Sequence, residues 1–163
     1  MINENGIIVK KTNFKKINFV KILTLKGKID AVIYGNKQIN LLYIFNFELT
    51  ETNKKNLYTV RKLNIVEKFE QLNTKEKLMG AFFVIDVASQ IDLDYNFIVS
   101  TIKSLEKNDI KVCLKNFLVK TLLDNGIYKN NIDDDISNLA LELEKYLGKK
   151  LKVGLNEVFT ATR

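Results

Sequence analysis

The chain has 163 residues, of which 46% are apolar and 28% are charged, as is typical of a globular protein with one domain or two small ones. Histidine, tryptophan and proline are absent, and Cys113 is the only cysteine. These absences exclude an internal disulfide, a zinc site of cysteine and histidine, and a nucleophile activated by histidine. The first residues are polar, unlike a signal peptide, and no apolar run approaches the ~20 residues of a transmembrane helix. We therefore expect no membrane segment and a cytoplasmic location.

The positive charge is concentrated in the N-terminal part of the chain. The formal net charge is +7, and residues 1–70 hold 13 basic against 6 acidic residues, whereas residues 71–163 hold 13 of each. This asymmetry indicates a polyanionic partner for the N-terminal part, and nucleic acid fits because each neutralised phosphate releases counterions. The alternative is a small sheet domain that simply exposes its lysines to water.

The first 70 residues predict a domain of five short strands, rich in β-branched and aromatic residues. Gly27 and Gly35 mark turns between them, because glycine adopts the unusual backbone angles of tight turns. The predicted strands cover residues 7–14, 18–25, 29–34, 43–50 and 57–66. Five such strands favour a small barrel or sandwich, and closing them on themselves gives the OB-fold, a frequent nucleic-acid platform.

Residues 71–163 predict a second, α-helical domain, because the apolar period changes from two to 3.6. Asp94 is a candidate N-cap for one helix, and Asn108 or Asp109 for the next. Gly126 and Gly148 fit the left-handed position after a helix end. The predicted fold class is thus α+β, all-β then all-α, with an OB-fold barrel followed by a helical bundle.

Basic and aromatic side chains of the N-terminal domain are the candidate binding residues. Single-strand binding needs a cationic groove and flat rings on which bases stack. We expect phosphate contacts from Lys10, Lys11, Lys21, Lys28, Lys37, Arg61 and Lys62. Phe19 and Tyr34 are the candidate stacking residues. For Phe45 and Phe47 the pattern leaves open whether each ring stacks on bases or fills the barrel core.

The other chemically suggestive residues have structural interpretations. The three aspartates at 133–135 suit a helix start better than a metal site, since adjacent residues point in different directions. Cys113 lies on an apolar helical stripe and is interpreted as a core residue. No phosphate-binding or dinucleotide-binding glycine motif is present. We therefore predict no catalytic residue, metal or cofactor, and a protein that is not an enzyme.

Four segments, taken in order, resemble the DNA repair protein RecO family. The opening reads GIIVKKTNF at 6–14, FVKILT at 19–24 and GKIDAVIYG at 27–35, and the stretch 41–67, which ends in YTVRKLNIVE, is similar to the family's two closing barrel strands. In the helical part, KNFLVKTLLDNGIY at 115–128 and LEKYLGKKLK at 143–152 are similar to two family elements. The family's four-cysteine zinc element is replaced by residues 130–136, so the chain resembles a short form without zinc.

The resemblance implies a recombination mediator at the bacterial nucleoid. Such a protein binds single- and double-stranded DNA, anneals complementary strands and acts with RecR to load recombinase on coated single strands. The resemblance also implies docking of the single-strand-binding protein's C-terminal tail, for which the candidates are Lys149, Lys150 and Lys152. The alternative is a non-enzymatic adaptor whose barrel binds a protein partner and not DNA.

Overall fold

The computed structural model describes residues 1–35, 39–127, 135–151 and 153–160. The chain forms two compact units: a barrel unit of Met1–Phe69 with Ile91–Phe97, and a helical unit of Glu70–Gln90 with Ile98–Arg163. The architecture is α+β, with the strands preceding the helices as the sequence predicts. The short segment Ile91–Phe97, which follows the first helix, groups with the barrel, a feature that the predicted boundary at residue 70 does not contain.

The barrel unit is a closed five-stranded barrel. The strands are β1 (Ile2–Phe14), β2 (Ile17–Thr24), β3 (Gly27–Tyr34), β4 (Tyr43–Glu51) and β5 (Leu57–Lys68). Neighbouring strands follow the order β1-β2-β3-β5-β4, and β4 pairs back onto β1. All neighbours are antiparallel except β3 and β5, which run parallel. This is the connectivity expected of an OB-like barrel.

The first strand closes the barrel because it pairs along its length with two neighbours. Its first half pairs with β4 and its second half with β2. The register with β2 shifts between Ile8 and Lys10, and such a bulge lets a strand bend from one neighbour to the other. Gly6 lies where both pairings meet. A Cβ atom at this position would lie 2.6 Å from Cγ2 of Ile22 and 2.9 Å from the carbonyl oxygen of Leu23. The close approach of β1 to β2 therefore requires glycine.

Inward-facing apolar residues of all five strands fill the barrel. Phe45 and Phe47 belong to this core, with exposed fractions of 4% and 0%, and their ring centroids lie 5.7 Å apart. The alternative that the sequence left open is thereby decided, because neither ring is accessible to a ligand. The other fully packed members are Ile8, Val20, Ile22, Ala31, Ile33, Ile39 and Leu49.

The helical unit is built from amphipathic and buried helices. The helices are α1 (Lys75–Gln90), α2 (Tyr95–Lys107), α3 (Ile110–Asp124), α4 (Ile136–Leu147) and α5 (Leu155–Thr160). Residues 80–88 of α1 are almost all buried, as the apolar residues on more than one face predict. Phe83 of α1 meets Phe117 of α3 edge to face, with ring centroids 6.4 Å apart. Within the described parts of the chain, no helix is both long and apolar enough to cross a bilayer.

Aspartates begin three of these helices and glycines follow two of them. The carboxylates of Asp94, Asp109 and Asp135 accept hydrogen bonds at 3.0–3.1 Å from backbone N–H groups two or three residues later. Gly126 and Gly148 have φ values of 69° and 72°, in the left-handed region that favours glycine. The predicted helix boundaries are confirmed at these positions.

Candidate functional site

Strand register aligns three rows of side chains across β1, β2 and β3. In an antiparallel pair, directly opposite residues share one face of the sheet, and every second residue along a strand returns to that face. The intervening residues of β2 and β3 supply the barrel core, so these rows form the barrel's outer face. Starting from the β1–β2 turn, the rows are Phe14, Ile17 and Tyr34, then Thr12, Phe19 and Val32, then Lys10, Lys21 and Asp30.

Three aromatic side chains of this outer face are exposed and occupy neighbouring positions in the strand register. The exposed fractions are 61% for Phe14, 45% for Phe19 and 59% for Tyr34. Phe19 is the diagonal neighbour of the other two in the register, which corresponds to about 7–8 Å between backbone positions. We call Phe14, Phe19 and Tyr34 the aromatic cluster. An exposed apolar patch of this kind is typical of a binding surface.

Lysines border the aromatic cluster on two sides. Lys10 and Lys21 lie opposite each other in the third row. Lys15 and Lys16 form the turn that joins β1 to β2, and the Lys15 ammonium lies 5.5 Å from the centroid of the Phe14 ring. Lys15 has a φ of 58°, which is uncommon for a residue with a side chain. The turn therefore presents two cations beside the first ring of the cluster.

A first cleft lies between Phe19 and the β4–β5 loop. Its volume is about 310 Å³, and it is lined by Phe19, Asp30 and the loop residues Lys54 and Lys55, among others. The Thr52 hydroxyl accepts a hydrogen bond from the backbone N–H of Lys54 at 3.1 Å, which shapes the loop. We call this site the Phe19 cleft. It places two cations beside one exposed ring.

A second cleft opens where β3 and β5 separate. Their parallel pairing ends two residues before Tyr34, and the gap beyond it, of about 220 Å³, is lined by Tyr34, Arg61 and Lys62, among others. Arg61 sits at a register shift in β5, and its Nε donates a hydrogen bond to Oγ1 of Thr50 at 3.1 Å. We call this site the Tyr34 cleft. It again combines one exposed ring with two cations.

The predicted contact Lys28 is engaged within the barrel unit. Its side chain is only 14% exposed, its Nζ donates a hydrogen bond to the carbonyl oxygen of Ile91 at 2.8 Å, and the Asp92 carboxylate lies 3.6 Å away. Burial lowers the pKa of the Lys28 ammonium, and the charge of Asp92 opposes that change. A phosphate contact by Lys28 would require breaking these contacts, so we leave it out of the candidate surface.

Of the remaining predicted cations, some lie on the candidate surface and others do not. Lys10, Arg61 and Lys62 are exposed on the surface described above, and Lys21 lies between Lys10 and Asp30. Lys11 faces the other side of β1, and its Nζ donates a hydrogen bond to the carbonyl oxygen of Ile39 at 3.2 Å. Lys37 lies outside the described residues.

The predicted tail-docking lysines lie near a groove of the helical unit. Lys150 lines this groove, of about 430 Å³, which α4, α5 and the segment between them form together. Leu141 and Leu151 give it apolar walls, and Lys149 is exposed nearby in the chain. Lys152 lies outside the described residues. The groove combines apolar walls with one cation, Lys150, and one carboxylate, Glu144, whose Oε1 accepts a hydrogen bond from the backbone N–H of Leu151 at 3.4 Å.

Five members of the surface were absent from the predicted site. They became apparent through register and loop position, because the sequence pattern alone does not show which strands are neighbours. A usable signal existed for the loops, since the β1–β2 and β4–β5 loops of OB-folds flank the ligand-binding face. The residues are Phe14, Lys15, Lys16, Lys54 and Lys55.

The cysteine and the aspartates that the sequence analysis singled out have structural roles where the structure describes them. Cys113 is buried, and its sulfur lies 3.1 Å from the Ser104 hydroxyl oxygen. Asp135 caps α4, whereas Asp133 and Asp134 lie outside the described residues. Among the residues that the structure describes, no three acidic or cysteine side chains are grouped as a metal ion would require.

No family model matches the chain, and no curated protein matches it. The functional interpretation therefore rests on the outer face, the two clefts and the groove.

Proposed function

We propose that the barrel unit binds single-stranded DNA across the outer face of β1–β3. The observation that carries the proposal is the aromatic cluster of Phe14, Phe19 and Tyr34, which is exposed and bordered by lysines. Rings stack on unpaired bases, and cations neutralise the phosphates between them. The two clefts extend the same combination beyond the cluster. No bond is made or broken in this role.

The aromatic cluster favours single strands over duplex. The faces of bases inside a duplex are already stacked on each other, so only unpaired bases can stack on protein rings. Duplex DNA would contact the lysines alone. Single strands therefore gain binding free energy from both base stacking and phosphate contacts, whereas duplex DNA gains it from phosphate contacts alone.

A salt series with the full chain tests the proposal. Fluorescence polarisation with a labelled oligothymidine should show a logarithm of affinity that falls linearly with the logarithm of salt concentration. If Lys10, Lys15, Lys16 and Lys21 each neutralise one phosphate, the slope is about −3. A duplex of the same length should compete more weakly. Absence of binding, or binding that salt does not change, contradicts the proposal.

Neutralising Lys10 and Lys21 is expected to make the salt dependence shallower. The double variant Lys10→Gln/Lys21→Gln loses two phosphate contacts, so the slope should decrease in magnitude by about 1.4. The matched control is Lys26→Gln/Lys68→Gln, which removes the same charge elsewhere on the barrel. The Lys26 ammonium is already 2.7 Å from the Glu4 carboxylate. Equal changes in both double variants would assign the effect to net charge and not to the outer face.

Replacing Lys15 by glycine is expected to stabilise the barrel while weakening DNA binding. Glycine adopts the φ of 58° without the steric cost that Lys15 bears, so the free energy of unfolding should rise by about 0.5 kcal/mol. The lost cation should reduce the magnitude of the salt slope by about 0.7. Urea denaturation and polarisation measure the two effects. Lys16→Gly is the control, since it removes a charge from the same turn without relieving a positive φ, and it should not stabilise.

We extend the proposal to the role that the sequence motifs imply. The chain would anneal complementary strands, because its cations reduce the repulsion between two DNA backbones. It would act with RecR, and the groove beside Lys150 and Leu151 would receive the acidic tail of the single-strand-binding protein. Resemblance to the RecO family supports these partners, and the apolar walls of the groove together with Lys150 support the tail, whereas the Glu144 carboxylate in the same groove opposes it. Mixing two labelled complementary strands with the protein tests annealing, and an unchanged rate of pairing contradicts it.

The competing function is an adaptor whose aromatic cluster binds a protein. Exposed rings suit a protein interface as well as bases. The lysines of both flanking loops favour a polyanion over a protein surface of mixed charge. The salt series separates the two, because a protein interface centred on apolar rings depends weakly on salt.

A further inference from the structure

An acidic side chain lies inside the otherwise cationic Phe19 cleft. Asp30 lines this cleft together with Phe19, Lys54 and Lys55, and its side chain is 61% exposed. The nearest cation is Lys21, whose Nζ lies 3.9 Å from the carboxylate, beyond hydrogen-bond distance. Among the described residues, no donor forms a hydrogen bond with the Asp30 carboxylate. Its oxygens are therefore available to accept hydrogen bonds from a ligand.

A carboxylate at this position repels phosphate groups but can accept hydrogen bonds from the N–H groups at the edge of a base. Lysines on both sides of Asp30 attract the DNA backbone, whereas the carboxylate repels it. The same carboxylate accepts hydrogen bonds from the N–H groups of a base that is stacked on Phe19. The cleft volume of about 310 Å³ lies within the range of small-molecule sites.

We infer that the Phe19 cleft prefers an unpaired guanine, and that Asp30 determines this preference. The inference rests on the proposed single-strand binding and specifies the base that this site accepts. Guanine alone among the four bases presents two adjacent donors on its Watson–Crick edge, N1–H and the N2 amino group. They match the two oxygens of one carboxylate, whereas thymine offers a single N–H and an adjacent carbonyl oxygen that the carboxylate repels.

Oligothymidines that carry one central substitution test the inference with the full chain. Guanine at the centre should increase affinity about fivefold over thymine, the lower end expected for a bidentate base contact at an exposed site. Inosine, which lacks the N2 amino group, should bind with intermediate affinity. In Asp30→Asn the difference between guanine and thymine should fall below about twofold, because an amide cannot accept both hydrogen bonds.

Glu51→Gln is the matched control, because it removes one carboxylate of the barrel unit that does not line the cleft. Both substitutions should raise affinity for plain oligothymidine through charge, but only Asp30→Asn should remove the guanine preference. Equal affinities for guanine and thymine in the unmodified protein overturn the inference, as does a guanine preference that survives in Asp30→Asn. If no oligonucleotide binds, the proposed function itself fails, so the two failures are distinguishable.

Discussion

Replacing Phe14, Phe19 and Tyr34 together by alanine is expected to weaken binding of single-stranded DNA by about 100-fold or more. Each stacked base is worth about 1–3 kcal/mol on alanine substitution, and three rings are removed. The lysines remain, so the slope of affinity against salt should not change. The side chains are exposed, and circular dichroism should show an unchanged fold. Polarisation across the salt series measures both quantities.

Tyr146→Ala provides the control for this prediction. Tyr146 is an exposed aromatic residue of α4 in the helical unit, and its loss should leave DNA affinity unchanged. A decrease below about fivefold in the triple variant would mean that the rings do not stack on bases. A change of the salt slope would mean that the substitutions displaced the lysines.

Replacing Gly6 by alanine is expected to destabilise the barrel by about 1–3 kcal/mol. The added Cβ would lie 2.6 Å from a side-chain atom of Ile22 and 2.9 Å from the carbonyl oxygen of Leu23. The second contact is with backbone, so β1 and β2 must move apart to relieve it. This is a large part of the stability of a small domain, which totals about 5–15 kcal/mol. Urea denaturation should show a lower midpoint.

Gly154→Ala separates this steric effect from a general effect of replacing glycine. A Cβ at Gly154 meets nothing within 4 Å, and this residue has no positive φ. Its substitution should change the free energy of unfolding by less than about 0.5 kcal/mol. Similar losses in both variants would contradict the close approach at Gly6.

The fold could be predicted from the sequence because local signals agree with it. Alternation of apolar residues located all five strands, and the change of period near residue 70 located the helices. The first strand nevertheless begins at Ile2, five residues before the predicted start. Asn3, Glu4 and Asn5 give no apolar alternation there, and pairing with β4 determines their strand conformation.

The site could be predicted only in part, because a surface depends on which strands are neighbours. Phe19 and Tyr34 were found from their positions among lysines, and the register then placed Phe14 beside them. Lys28 was assigned to the surface as one of the basic residues of the N-terminal domain, and lysines are mostly exposed. Its burial depends on the carbonyl oxygen of Ile91, a contact between residues 63 positions apart that no local pattern contains.

The parallel pairing of β3 with β5 has a consequence for the order of folding. The barrel cannot close until β5 has been synthesised, so a nascent chain that ends before residue 57 leaves one edge of β3 without a hydrogen-bonding partner. Unpaired edges promote aggregation of partly folded chains. We therefore expect translation products that stop between β4 and β5 to aggregate, and the chain to become protected from intermolecular strand addition once β5 has paired.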